Sequence, residues 1–104
     1  IYFEPDAAEL TPIATAIIST LMRQIDQCRS AGGELLGINI AAYPDRDARG
    51  RIARAEAQAR ASVVREALIE AGAPARTIRT ERRTPDTPEG RVMQRRVQIV
   101  ARLH

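Results

Sequence analysis

The stretch Leu35-Leu36-Gly37-Ile38-Asn39-Ile40-Ala41-Ala42-Tyr43-Pro44-Asp45 decides how the rest of the chain is read. Leu36, Ile38, Ile40 and Ala42 alternate with Leu35, Gly37, Asn39 and Ala41. A period of two with apolar or small residues on nearly every position predicts a largely buried β-strand. The strand is expected to end at Tyr43-Pro44, since proline has no N–H to give a sheet ladder.

On the N-terminal side, Thr11-Pro12 is a helix-start pair: a hydroxyl that can cap, followed by a ring already set to the helical φ. Ile17, Ile18, Leu21, Met22, Ile25 and Cys28 follow at three- and four-residue steps, and Gly32-Gly33 stops the helix. Ahead of it, Ile1-Tyr2-Phe3 alternates as a brief strand that Pro5-Asp6 breaks. On the C-terminal side, Asp45 to Gly50 is too polar and turn-rich for either element. Ile52, Ala55, Ala59, Val63, Ala67, Leu68 and Ala71 then recover the helical period as far as Gly72 and Pro74. A weak strand is expected over Thr77 to Glu81, a Pro-rich loop over Thr84 to Gly90, and a closing strand in which Val97, Ile99, Ala101 and Leu103 alternate.

The order is therefore β-α-β-α-β-β. Helices of about twenty residues between short strands predict a two-layer α+β sandwich, with a mixed four-stranded sheet covered by helices on one face. Periodicity leaves a ferredoxin-like topology open beside others. With 104 residues, 44% hydrophobic and 28% charged, one self-folding domain is expected and a disordered tail is excluded. No apolar run approaches the 18 residues of a membrane span, and no signal-peptide pattern is present. All sixteen basic residues are Arg, against thirteen acids, and guanidinium forks suit anionic groups better than ammonium points do. The single Cys28 rules out an internal disulfide and gives too few ligands for structural zinc. One terminal His104 and no spaced ligand cluster point away from an enzyme and from any cofactor.

Three stretches, in order, resemble the OmpA-like family of peptidoglycan-binding domains. Ile1-Tyr2-Phe3-Glu4-Pro5-Asp6-Ala7-Ala8-Glu9-Leu10-Thr11-Pro12 is similar to the family's aromatic-plus-acid entry and Leu-x-Pro helix start. Ile38 to Asp45 resembles its strand ending in Gly-Tyr/His-Thr-Asp, with Arg60-Ala61-Ser62-Val63-Val64 in place of Arg-Ala-x-x-Val, fifteen residues from Asp to Arg as in the family. Gly90-Arg91-Val92-Met93-Gln94-Arg95-Arg96-Val97-Gln98-Ile99 is similar to its closing Gly-Arg-x-x-Asn-Arg-Arg-Val-x-Ile.

The resemblance implies an OmpA-like sheet order and non-covalent binding of peptidoglycan through the diaminopimelate of its stem peptide. It further implies a periplasmic, outer-membrane-associated module that anchors to the cell wall. The chain opens at Ile1 without methionine, so it is expected to be part of a longer envelope protein whose membrane contact lies outside it; protein partners in the envelope are left open. The implied ligand residues are Asp45 and Arg60, with Asp6 and Arg96 beside them. A zwitterionic carbon needs an anion and a cation held close together, and this pair supplies both. Their ordinary readings are a turn or cap for Asp45, in competition with Asp47, and an exposed i, i+4 ion pair with Glu56 for Arg60. Pro44, Ala48, Ala53 and Glu56-Ala57 depart from the family's Thr, Gly, Asn and Leu-Ser. They motivate a second expectation, an OmpA-like scaffold serving as a structural or protein-interaction module without a ligand. A nucleic-acid surface is not expected, since the three aromatics form no stacking pair on a central strand.

Overall fold

The computed structural model describes residues 1–4, 7–45, 48–83 and 87–104. Three strands, β1 (Leu35–Ala42), β2 (Ile78–Arg82) and β3 (Val97–Leu103), form one mixed sheet in the order β2-β1-β3. The long helices α1 (Pro12–Ser30) and α2 (Gly50–Glu70) precede and follow β1, and a five-residue helix α3 (Pro88–Val92) comes before β3. β1 pairs parallel to β2 and antiparallel to β3, which makes the stretch that opened the sequence reading the central strand.

Local chemistry accounts for the helix ends. Thr11 Oγ1 accepts the Ala14 N–H at 3.1 Å, and Pro12 occupies the first helical position, where no N–H is required. At the far ends Gly32 (φ 94°) and Gly72 (φ 109°) take the left-handed turn that closes α1 and α2. This lets the next amides, Gly33 and Ala73, bond back to the carbonyls of Cys28 (2.8 Å) and Leu68 (2.9 Å).

A single core joins Ile18, Met22 and Ile25 of α1, Ile38, Ile40 and Ala42 of β1, and Ala57, Ala61, Val64 and Leu68 of α2. Phe3, Ala73 and Val97 complete it. Four expectations are corrected here. Leu36 is half exposed because the register slips between Leu35 and Gly37, so Leu35 turns inward in its place. The inward stripe of α2 runs through Ala53, Ala57, Arg60, Ala61, Val64 and Leu68, while Ile52 lies outside at 72% exposure. Part of the loop expected over Thr84 to Gly90 is helical, since α3 starts at Pro88. The expected fourth strand is reduced to one bridge between Tyr2 and Arg96, beside hydrogen bonds linking Ile1 with Val97 and Phe3 with Arg95. Just beyond it the Ala7 amide bonds to the Glu4 carbonyl at 3.1 Å.

Two glycines make contrasting predictions. A Cβ on Gly33 would sit 2.8 Å from the Cys28 carbonyl oxygen and 2.3 Å from its Sγ, in a closed helix-to-strand corner. Gly33→Ala is expected to cost about 1–3 kcal/mol of stability. A Cβ on Gly37 meets only the mobile end of Arg102, which can swing away, so Gly37→Ala should stay within about 0.5 kcal/mol in the same urea titration.

Candidate ligand-binding site

Asp45 follows the carboxyl end of the central strand, and Arg60 stands three turns into α2 on its inward face. The α2 segment, lying along β1, brings them together: Arg60 Nη2 donates to Asp45 Oδ1 at 2.8 Å. Arg60 is completely buried, while the Asp45 side chain keeps 14% of its surface exposed.

A buried guanidinium must find acceptors for five N–H groups, and here each has one. Nε donates to the Ala7 carbonyl (3.0 Å), and Nη1 to the Tyr43 carbonyl (3.2 Å) and Glu56 Oε1 (3.1 Å). Nη2 donates to the Glu4 carbonyl (3.3 Å) and to Asp45. Its face lies 5.4 Å from the centre of the Phe3 ring. Arg60 therefore ties the entry segment, the end of β1 and its own helix into one corner. The reading of Arg60 as an exposed ion pair is corrected. The Glu56 side chain is only 13% exposed, and its Oε1 also accepts the Asp45 backbone N–H. The cap reading of Asp45 is corrected as well, because Arg49 holds the N-cap position of α2.

Asp6 and Asp47 lie outside the described residues. Arg96 is not brought to the pair: its Nη1 donates to the Val92 carbonyl at 2.8 Å, and its guanidinium lies 5.8 Å from the Tyr2 ring. Arg95 stacks on the same ring at 5.7 Å and takes a left-handed backbone (φ 58°). The regular strand begins only after them, at Val97. Glu56 was the residue missed as a member of the site. In the sequence it is a carboxylate four residues before an arginine, which reads as an ordinary surface partner; its burial is what reveals the role. Beside Glu56 opens a groove of about 370 Å³ lined by Ala7, Ala8, Ile52, Ala55 and Ala59.

On the other side of β1's end, the buried Tyr43 hydroxyl donates to Glu89 at 2.6 Å and moors α3 to the sheet. Burial, then the Glu89 carboxylate, raise the Tyr43 pKa above its ordinary 10.0. A phenol harder to ionise in the folded state contributes stability that is whole below about pH 10 and is lost as pH climbs beyond it. Thermal melts at about pH 8 and about pH 11 should show this decline, and Tyr43→Phe should reduce it.

Among the described residues no group of three or more His, Cys, Asp or Glu side chains could hold a metal ion, and no helix is long and apolar enough to cross a membrane. What the corner offers is charge: a sealed guanidinium, two carboxylates on it, and an alanine-lined groove alongside.

Known structures share this architecture. The peptidoglycan-associated lipoprotein from Burkholderia pseudomallei superposes with a TM-score of 0.77 at 17% identity, over 98% of this chain and 88% of that one. The OmpA-like domain of FopA1 from Francisella tularensis gives 0.76 at 17% identity, over 98% and 68%. The C-terminal domain of Helicobacter pylori MotB gives 0.71 at 18%, over 97% and 81%. A search among curated proteins finds no match to the sequence. The family model described as the OmpA family matches residues 2–95. That match covers 94 of the 104 residues, and the chain belongs to the OmpA family.

Proposed function

We propose that this domain is a non-catalytic module that grips peptidoglycan in the periplasm, holding the diaminopimelate of the stem peptide at the Asp45 and Arg60 corner and so tethering an envelope protein to the wall. The observation that carries the reading is the 2.8 Å pair of opposite charges at the end of the central strand, with a groove beside it. Family membership supports it, as does the likeness to a lipoprotein named for peptidoglycan association. Asp45, the partly exposed member, receives the ligand's ammonium. Arg60 holds Asp45 in place and reaches a ligand carboxylate only by exchanging one of its present acceptors.

Pull-down with purified sacculi tests this. Asp45→Asn keeps an oxygen for Arg60 and removes the charge, so the fold should persist while sacculus binding weakens by about 30-fold or more, the lower end of what a lost desolvated charge partner costs. Equal retention of the variant and the wild type would sink the reading. Arg60 is a poor probe of binding, because its removal disturbs the fold itself. The completeness of its five internal bonds also favours a second reading, a scaffold that has closed its site. That reading predicts no localised amide shifts near Asp45 when a diaminopimelate peptide is titrated in.

A further inference from the structure

We propose that the face of the sheet turned away from the core carries a second binding site, a small pocket over the middle of β1 that takes the acetamido group of an N-acetylated sugar in the glycan strand. This rests on the peptidoglycan reading but uses none of the charges at the Asp45 and Arg60 corner.

The pleat of the central strand builds the pocket. Ile38, Ile40 and Ala42 enter the core, so Gly37, Asn39 and Ala41 point to the opposite face. Their short side chains lie between longer ones. The register sets Arg79 and Glu81 of β2 on one side of Asn39 and Ala41, and Val100 and Gln98 of β3 on the other. A trough therefore follows β1, and in it lies a cavity of about 150 Å³ whose lining includes Asn39, Ala41, Glu81, Arg83, Gln98 and Val100. Asn39 Oδ1 is buried there and accepts no hydrogen bond from any described residue. A buried side-chain oxygen without a donor is uncommon in folded proteins. The last torsion of an asparagine is broad, and no hydrogen bond to this oxygen resists its turning toward the cavity.

The lining matches the three parts of an acetamido group. Its N–H supplies the donor that Asn39 Oδ1 lacks, the side-chain amide of Gln98 can donate to its carbonyl, and Ala41 and Val100 offer apolar surface to its methyl. The charged wall residues Glu81 and Arg83 are paired with each other at 2.7 Å, so that wall is balanced in charge and suits the hydroxyls of a neutral sugar. A sugar ring holds its acetamido group in a fixed orientation, which lowers the ordering cost of binding.

A β-1,4-linked tetrasaccharide of N-acetylglucosamine and the same chain of glucose, both uncharged, can be titrated into the isotope-labelled domain and followed by amide shifts. The wild type should bind the acetylated chain at least about tenfold more tightly, with the largest shifts at Asn39, Ala41, Gln98 and Val100. Asn39→Leu keeps the volume and removes the oxygen. It should abolish the preference while the melting temperature stays level or rises, since no hydrogen bond is lost with an acceptor that makes none. Gln98→Ala, at an exposed position, should weaken the acetylated chain and leave the glucose chain unchanged. Equal binding of the two chains, shifts centred elsewhere, or a preference that survives Asn39→Leu overturns the pocket. So does a clear fall in the melting temperature of Asn39→Leu, which assigns the amide a structural role. A wild type retained by sacculi yet indifferent to the acetylated chain loses this inference alone, and one that ignores both loses the peptidoglycan reading with it.

Discussion

Arg60→Ala is expected to lower folding stability by about 3–5 kcal/mol, the range for removing one partner from a buried charge network. For a domain of this length that corresponds to a fall in melting temperature of the order of 15–30 °C, measurable by calorimetry or urea titration. The cost has three sources. Asp45 and Glu56 are left facing each other without their cation. The carbonyls of Glu4, Ala7 and Tyr43 lose a donor, and the Phe3 ring loses the guanidinium over its face. Arg60→Lys should recover only part of the loss, since one ammonium with three donors cannot reach acceptors on three segments at once. Arg60→Met combined with Glu56→Leu should be less destabilised than the sum of the two single changes, because the second change removes a charge the first has orphaned. A stability for Arg60→Ala within about 1 kcal/mol of the wild type would contradict the description of this corner as sealed.

Phe3→Ala should be comparably costly, about 3–5 kcal/mol. Phe3 is fully buried in the common core, its amide bonds to the Arg95 carbonyl, and its ring lies against Arg60. Truncation leaves a ring-sized void and loosens the segment that supplies two of Arg60's carbonyl acceptors. Phe3→Leu keeps most of the volume and gives up chiefly the aromatic face, so about 1–2 kcal/mol is expected. The two positions touch, so a double-mutant cycle between Phe3 and Arg60 should show clear coupling.

Much of this architecture was legible without coordinates. Thr11-Pro12 marked the start of α1, Gly32 and Gly72 marked the ends of both long helices, and the alternations at Leu35–Ala42 and Val97–Leu103 marked the two principal strands. The inward face of α2 was not legible for a definite reason. Its middle is an arginine, and a pattern built on apolar residues skips it and settles on Ile52, Ala55 and Ala59 instead. Asp45 and Arg60 were indicated by spacing and resemblance, and their contact is real. The remaining acceptors were beyond reach, because three of the five are backbone carbonyls, which every residue carries and no sequence distinguishes. Glu56 was quoted as a departure, yet read as a surface partner; only its burial shows that it belongs to the corner.

One margin of the sheet is β2, four of whose five residues are exposed and whose sequence is Ile78-Arg79-Thr80-Glu81-Arg82. The outer edge of such a strand invites a neighbouring molecule to extend the ladder, and ionised side chains along it withdraw the invitation, since docking would strip water from each of them. Arg79, Glu81 and Arg82 along this border thus oppose edge-to-edge pairing between copies.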